Sequence, residues 1–150
     1  MILYRFAPEE FSKNIDGLGA SKFGGRWNSK GFPIVYTSLT ISLSLIELLV
    51  HHASLSSIKN NKLIILELID DTIVEVILNE EMKDNWQTDI KYSQTLGNHF
   101  LASSKALLLK VPSAIIPQEN NILINPRHNH IQQVKVKDIV SFDYDLRLFS

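Results

Sequence analysis

Three residues of different chemistry follow one another closely in the first third of the chain: Arg26 within GGRWN, Tyr36 within VYTS, and Glu47 within SLIELLVHH. An arginine delivered by a glycine-rich loop offers a planar fork of donors suited to phosphate oxygens. A tyrosine at a strand end presents a flat wall on which a ring can rest. A carboxylate in a strongly apolar helix is costly unless it is paired or used. Such a group stabilises developing positive charge or orients a nucleophile. The set therefore suits a phosphorylated substrate whose reaction passes through an oxocarbenium-like centre.

Each residue also has a plainer reading. Arg26 can be a surface side chain beside a core Trp27, Tyr36 can pack in a β-run, and Glu47 can lie on a narrow polar strip with His51 one turn on. Cleavage of the nicotinamide–ribose bond of NAD+ meets all three requirements. Glycoside hydrolysis fits less well because it usually needs two carboxylates at a set separation, and no second acid accompanies Glu47. The glycines follow no standard phosphate template. Lys22 stands where the third glycine of a dinucleotide fingerprint would fall, and Gly25-Arg26 stand where a P-loop requires Lys and Ser/Thr. Ser113, in VPS, lacks the GxSxG frame of a nucleophile; it reads as a turn cap or a phosphate donor. His128 and His130 lack an evident third metal ligand, so no metal is expected.

These side chains need elements to carry them. ILYRF (2–6) reads as a first strand. Residues 17–31 hold five of the six glycines and read as a binding loop. A strand at 33–37 leads to a helix over 39–52 with Ser38 as its N-cap; Leu39, Leu43, Ile46 and Val50 share a face, which predicts a largely buried helix. Runs at 63–69 and 72–78 read as two strands joined by a tight turn at Asp70-Asp71. Residues 79–90 are acidic and irregular. A helix over 92–104, strands at 106–111 and 122–125, and β-structure near the end complete the pattern.

The 150 residues, 45% hydrophobic and 21% charged with no cysteine, fit one domain over 1–150 that buries a core without disulfides. The absence of cysteine excludes zinc ribbons, thiol redox chemistry and a cysteine nucleophile. A net charge of -1 excludes the diffuse basic field of a nucleic-acid binder, so no direct nucleic-acid binding is expected. Residues 1–62 nonetheless carry seven basic and four acidic side chains. No run approaches the roughly 20 apolar residues of a membrane span, and MILYRFAPEE lacks a signal-peptide pattern. The expected location is cytoplasmic, with no membrane contact.

The succession YRF, GLGASKFGGRWNSKG, VYTS, SLIELLVHH, LLLKVPSAIIP and NILINPRH resembles the RES domain, the toxin component of Xre-RES toxin–antitoxin pairs. The family's Arg, Glu and Ser correspond to Arg26, Glu47 and Ser113. The resemblance implies a compact α/β (α+β) domain with a mixed, mainly antiparallel sheet, like that of ADP-ribosyltransferases. It also implies a toxin that consumes NAD+ as substrate, by hydrolysis or phosphorolysis, until an Xre-type helix-turn-helix antitoxin blocks it. Under it Arg26 contacts the pyrophosphate or nearby ribose, Tyr36 lines the nicotinamide side, and Glu47 acts on the reacting ribose. Arg5 reaches or braces the pocket, and Ser113 and Asn125 supply supporting polar groups. The alternatives are mono-ADP-ribosyl transfer to a protein and a non-catalytic nucleotide-binding module.

Overall fold

The computed structural model describes residues 1–52, 54–69 and 72–149. In chain order the elements are β1 (Ile2–Pro8), α1 (Leu18–Phe23), β2 (Val35–Ser38), α2 (Ile41–His51), α3 (Leu55–Ile58), β3 (Asn61–Glu67), β4 (Val74–Val76), α4 (Ile90–Ser103), β5 (Leu108–Pro112), β6 (Asn120–Ile124) and β7 (Lys135–Val140). The strands form one seven-stranded sheet in the order β4-β5-β6-β2-β1-β3-β7. Its pairings are antiparallel except for the parallel β4–β5 edge. The sheet is thus mixed and mainly antiparallel, as expected.

Alternation along the strands sends side chains to two faces. One face packs Leu3, Ala7, Val35, Ile64, Leu66 and Ile122 together. The other buries Trp27, Ile34, Trp86, Phe100, Leu109 and Leu123. β2 lies at the middle of the sheet. Its Val35 and Thr37 face the first core, whereas Tyr36 and Ser38 point with Ile34 to the second side. The register aligns Tyr36 with Leu123, and Ser38 with both Asn121 and Tyr4.

Three expectations change. The runs 63–69 and 72–78 do not form a hairpin: β3 pairs with β1 and β7, while β4 joins β5 at the far edge. Apolar runs announce strands but not partners, and the Asp70-Asp71 turn lies outside the described residues. Ser38 belongs to β2, and the cap of α2 is Thr40, whose hydroxyl accepts from the Leu43 N–H at 3.1 Å. Nor is α2 largely buried. Its inward stripe is Leu43, Ser44 and then Glu47 one turn on, while Ile41 and Val50 are 37% and 58% exposed. The small Ser44 lets the helix approach β1 closely enough for its hydroxyl to reach the Tyr4 carbonyl. That approach turns Glu47 toward the sheet.

On the second side, α4 crosses the glycine loop at Gly97. A methyl group there would lie 1.7 Å from the Trp27 carbonyl oxygen, so the contact is between helix backbone and loop backbone. Replacing Gly97 by Ala improves intrinsic helix propensity by about 1 kcal/mol, yet the net effect expected is destabilisation by about 1–3 kcal/mol through overpacking. Urea unfolding of Gly97→Ala checks this; a higher midpoint would show that the loop yields at no cost.

Candidate functional site

The GGRWN segment is held as a tight turn in which the Gly25 N–H donates to the Asn28 carbonyl at 2.9 Å. Asn28 is fully buried and uses its whole amide. Its Nδ2 donates to the Ala20 and Phe32 carbonyls, each at 2.9 Å, and its Oδ1 accepts from the Tyr36 hydroxyl at 2.6 Å. The Tyr36 hydroxyl in turn accepts from the Trp27 N–H at 2.9 Å. Gly25 is required here, because a Cβ would sit 2.7 Å from that hydroxyl.

Helix α4 clamps the same turn from outside. The Ser93 hydroxyl donates to the Arg26 carbonyl at 2.5 Å, Gln94 Nε2 donates to the Gly25 carbonyl at 2.9 Å, and Asn98 Oδ1 accepts from the Ser29 N–H at 3.0 Å. With its backbone so fixed, Arg26 extends a half-buried side chain whose guanidinium donates to the Gln87 carbonyl at 2.7 Å. Its charge also lies 6.0 Å from the centre of the Trp86 ring. Trp86 is itself buried against Trp27, with ring centroids 5.7 Å apart. The acidic 79–90 segment therefore supplies both partners of the arginine.

A second cluster lies two residues along β2 on the same face. Glu47 Oε1 accepts from the Ser113 hydroxyl at 2.8 Å and from Asn121 Nδ2 at 2.6 Å. Ser113 is fully buried. It follows β5 and takes the backbone N–H groups of Ile115 and Ile116 on its oxygen, each at 3.1 Å. Asn121 Oδ1 accepts from the Ser38 hydroxyl at 2.7 Å. Since alternate residues of a strand rise about 7 Å, the Tyr36 and Ser38 positions set the two clusters side by side. The arrangement offers a cation on a fixed loop, an aromatic wall and an immobilised carboxylate. Among the described residues no group of three or more His, Asp or Glu side chains could hold a metal ion, and no helix is long and apolar enough to cross a membrane.

The RES domain family model matches residues 2–145 of the chain. The chain belongs to the RES domain family. Toxin Res of Yersinia enterocolitica (serotype O:8 / biotype 1B) is 35% identical over 152 residues, covering 99% of each protein. Toxin Res of Pseudomonas putida is 33% identical over 150 residues, covering 99% of this chain and all of the relative. A Sphingobium protein named Prs ADP-ribosylating toxin is 32% identical over 139 residues, 90% of this chain and 86% of that protein. A chain from the crystal structure of the M. tuberculosis MbcT–MbcA toxin–antitoxin complex superposes with a TM-score of 0.75 at 18% identity. That superposition covers 94% of this chain and 83% of the other, and the likeness is one of fold.

In this RES domain Arg26, Tyr36, Glu47 and Ser113 stand on one side of the sheet, whereas two further residues expected at the site do not join them. Arg5 alternates with Leu3 and Ala7 and so points to the opposite face, where it donates to the Asn14 carbonyl at 2.8 Å. Burial pulls its pKa down, against the opposing charge of Asp16. Asn125 is buried beyond the other end of β6 from Asn121. It donates to the Ser104 hydroxyl at 2.9 Å and accepts from the Arg127 N–H at 3.0 Å, closing the turn around the end of α4. Three members of the RES domain's two networks, Asn28, Ser38 and Asn121, were not singled out by sequence as site residues. Asn28 lay inside the quoted GGRWN, but a buried amide has no spacing signature.

Burial raises the Tyr36 pKa well above its ordinary 10.0, only partly opposed by hydrogen bonds at Trp27 and Asn28 and by the charge of Arg26. The stability held by this proton is therefore complete below pH 10 and is lost as pH rises toward the folded-state value. Tyr36→Phe leaves the Trp27 N–H and Asn28 Oδ1 without that partner, at an expected cost of about 1–3 kcal/mol at pH 8. Urea unfolding across pH 8–11 checks both points: the variant starts lower and loses less on the alkaline side.

Proposed function

We propose that this chain is the toxin of a toxin–antitoxin pair and acts in the cytoplasm by breaking the nicotinamide–ribose bond of NAD+. The observation that carries the reading is the Glu47 carboxylate, fixed through Oε1 by Ser113 and Asn121 beside the tyrosine and arginine cluster. Among the described residues Oε2 has no hydrogen-bond partner, and we assign it to the substrate. The relatives named Toxin Res, similar over nearly the full length, support the toxin role. The complex containing the MbcT fold relative supports an antitoxin partner, for which a helix-turn-helix protein of the Xre type is the proposal.

In this reading Arg26 binds the pyrophosphate through its fork of donors, while Gln87 and Trp86 keep the guanidinium from collapsing into solvent. The Tyr36 ring borders the nicotinamide side; its hydroxyl is committed to Trp27 and Asn28, so it contributes a surface and no proton. As the C1′–N bond breaks, its electron pair leaves with nicotinamide and neutralises the pyridinium, and positive charge grows on the ribose. Glu47 stabilises that charge. A water or phosphate oxygen then bonds to C1′ from the open side, and water releases its second proton to solvent.

Transfer of ADP-ribose to a protein uses the same bond cleavage with a different acceptor. The Sphingobium relative's name, Prs ADP-ribosylating toxin, favours keeping it as the second reading. Purified chain incubated with NAD+ is expected to release nicotinamide, with mass spectrometry distinguishing free ADP-ribose, its phosphorylated form and labelled protein. Glu47→Gln should lower the rate by about 10²–10³-fold at an unchanged melting temperature, and Arg26→Ala should act mainly by raising KM. An absence of nicotinamide release with water, phosphate and lysate acceptors alike would refute the proposal.

A further inference from the structure

We infer that Ser38 and Asn121 are positioning residues for Glu47, forming a directed relay that fixes which carboxylate oxygen is left for the substrate. The inference rests on the NAD+-cleaving reading for its kinetic consequence, but its geometry stands on the hydrogen bonds alone.

The direction of the relay follows from donor bookkeeping. An asparagine amide can bind in either of two flipped orientations, and only one presents Nδ2 to a carboxylate. Ser38 is buried at 3% exposure, and its hydroxyl donates to Asn121 Oδ1 at 2.7 Å. That bond selects the orientation in which Nδ2 reaches Glu47 Oε1 at 2.6 Å. Ser113 delivers its proton to the same atom for a parallel reason. Its oxygen already accepts from two backbone N–H groups, so the hydroxyl hydrogen is what remains to bond outward. Two donors of forced direction thus converge on Oε1, and Oε2 turns away from both.

The sheet builds the relay into its register. Ser38 and Asn121 are directly paired between β2 and β6, so their short side chains meet without spanning a gap. Tyr36 shares the face with Ser38. The strand that latches the arginine loop through Tyr36 therefore also orients the carboxylate through Ser38, and the two halves of the site keep a constant spacing.

The test compares Ser38→Ala, Ser38→Thr and Asn121→Ala in the full chain, with kcat and KM for nicotinamide release and the melting temperature recorded for each. Loss of the relay should lower kcat about 10-fold in Ser38→Ala and about 10–100-fold in Asn121→Ala, with KM within about twofold of the parent because the arginine cluster is untouched. Ser38→Thr, which keeps the hydroxyl, should restore kcat. Adding Ser38→Ala to Asn121→Ala should cost little more. A lower melting temperature with unchanged kcat per folded molecule would reduce both residues to a structural role and overturn the inference. So would costs that multiply in the double variant.

A second readout needs no turnover. In a 15N-labelled chain the Asn121 side-chain amide should show one proton shifted downfield by the carboxylate, and Ser38→Ala should move or broaden that pair. An unchanged pair overturns the relay. If the parent releases no nicotinamide while this signature is present, the functional reading fails and the relay survives; an active parent with indifferent variants gives the reverse.

Discussion

The contact on which the site depends most heavily joins two pieces of backbone, the Trp27 carbonyl and α4 at Gly97. It brings the helix against the turn closely enough for Ser93, Gln94 and Asn98 to grip that turn at three separate atoms. The turn has few apolar side chains of its own to hold it, so polar bonds and one close backbone approach substitute for a packed core. Tyr36 and Asn28 fasten it from beneath. An arginine on such a base begins with most of its backbone entropy already lost, which lowers the cost of binding an anion.

Rigidity at this turn contrasts with the surface of α2. That helix spends its inward stripe on Leu43, Ser44 and Glu47 and leaves Ile41 and Val50 outside. A more apolar inner stripe would pack better, but it would bury the carboxylate without donors. The arrangement trades helix burial for a Glu47 that meets Ser113 and Asn121 and keeps one oxygen available. Stability is recovered elsewhere, on the sheet face where Leu3, Ile64, Leu66, Ile122 and Ile124 pack without a polar group among them.

Sequence reading located the parts of the site that have a chemical signature. Arg26 stood out because glycines flanked it, and Glu47 because it was the acid in an apolar helix. Residues whose importance comes from a partner distant in sequence were invisible in that reading. Ser38 looked like a helix cap until β6 placed Asn121 opposite it, and Asn125 looked equivalent to Asn121 in polarity although it serves the far end of the strand. The hairpin expected between 63 and 78 failed for the same reason. Strand pairing is a long-range choice, and β3 and β4 found partners on opposite sides of the sheet. The 79–90 segment carried no motif, yet a backbone carbonyl and an indole from it hold Arg26.

The four residues of β2 carry Tyr36 and Ser38 on one face and Val35 and Thr37 on the other. This makes the site sensitive to parity. Inserting or deleting one residue between Gly25 and Tyr36 without a compensating bulge would exchange the faces, pointing the tyrosine and serine into the aliphatic core while valine and threonine met the substrate. A change of two would restore the faces but shift the latch by one strand repeat relative to Asn121. Natural variation in loop length should therefore gather outside this short interval, and a graft of this site onto another sheet would have to preserve the count of residues before their identities.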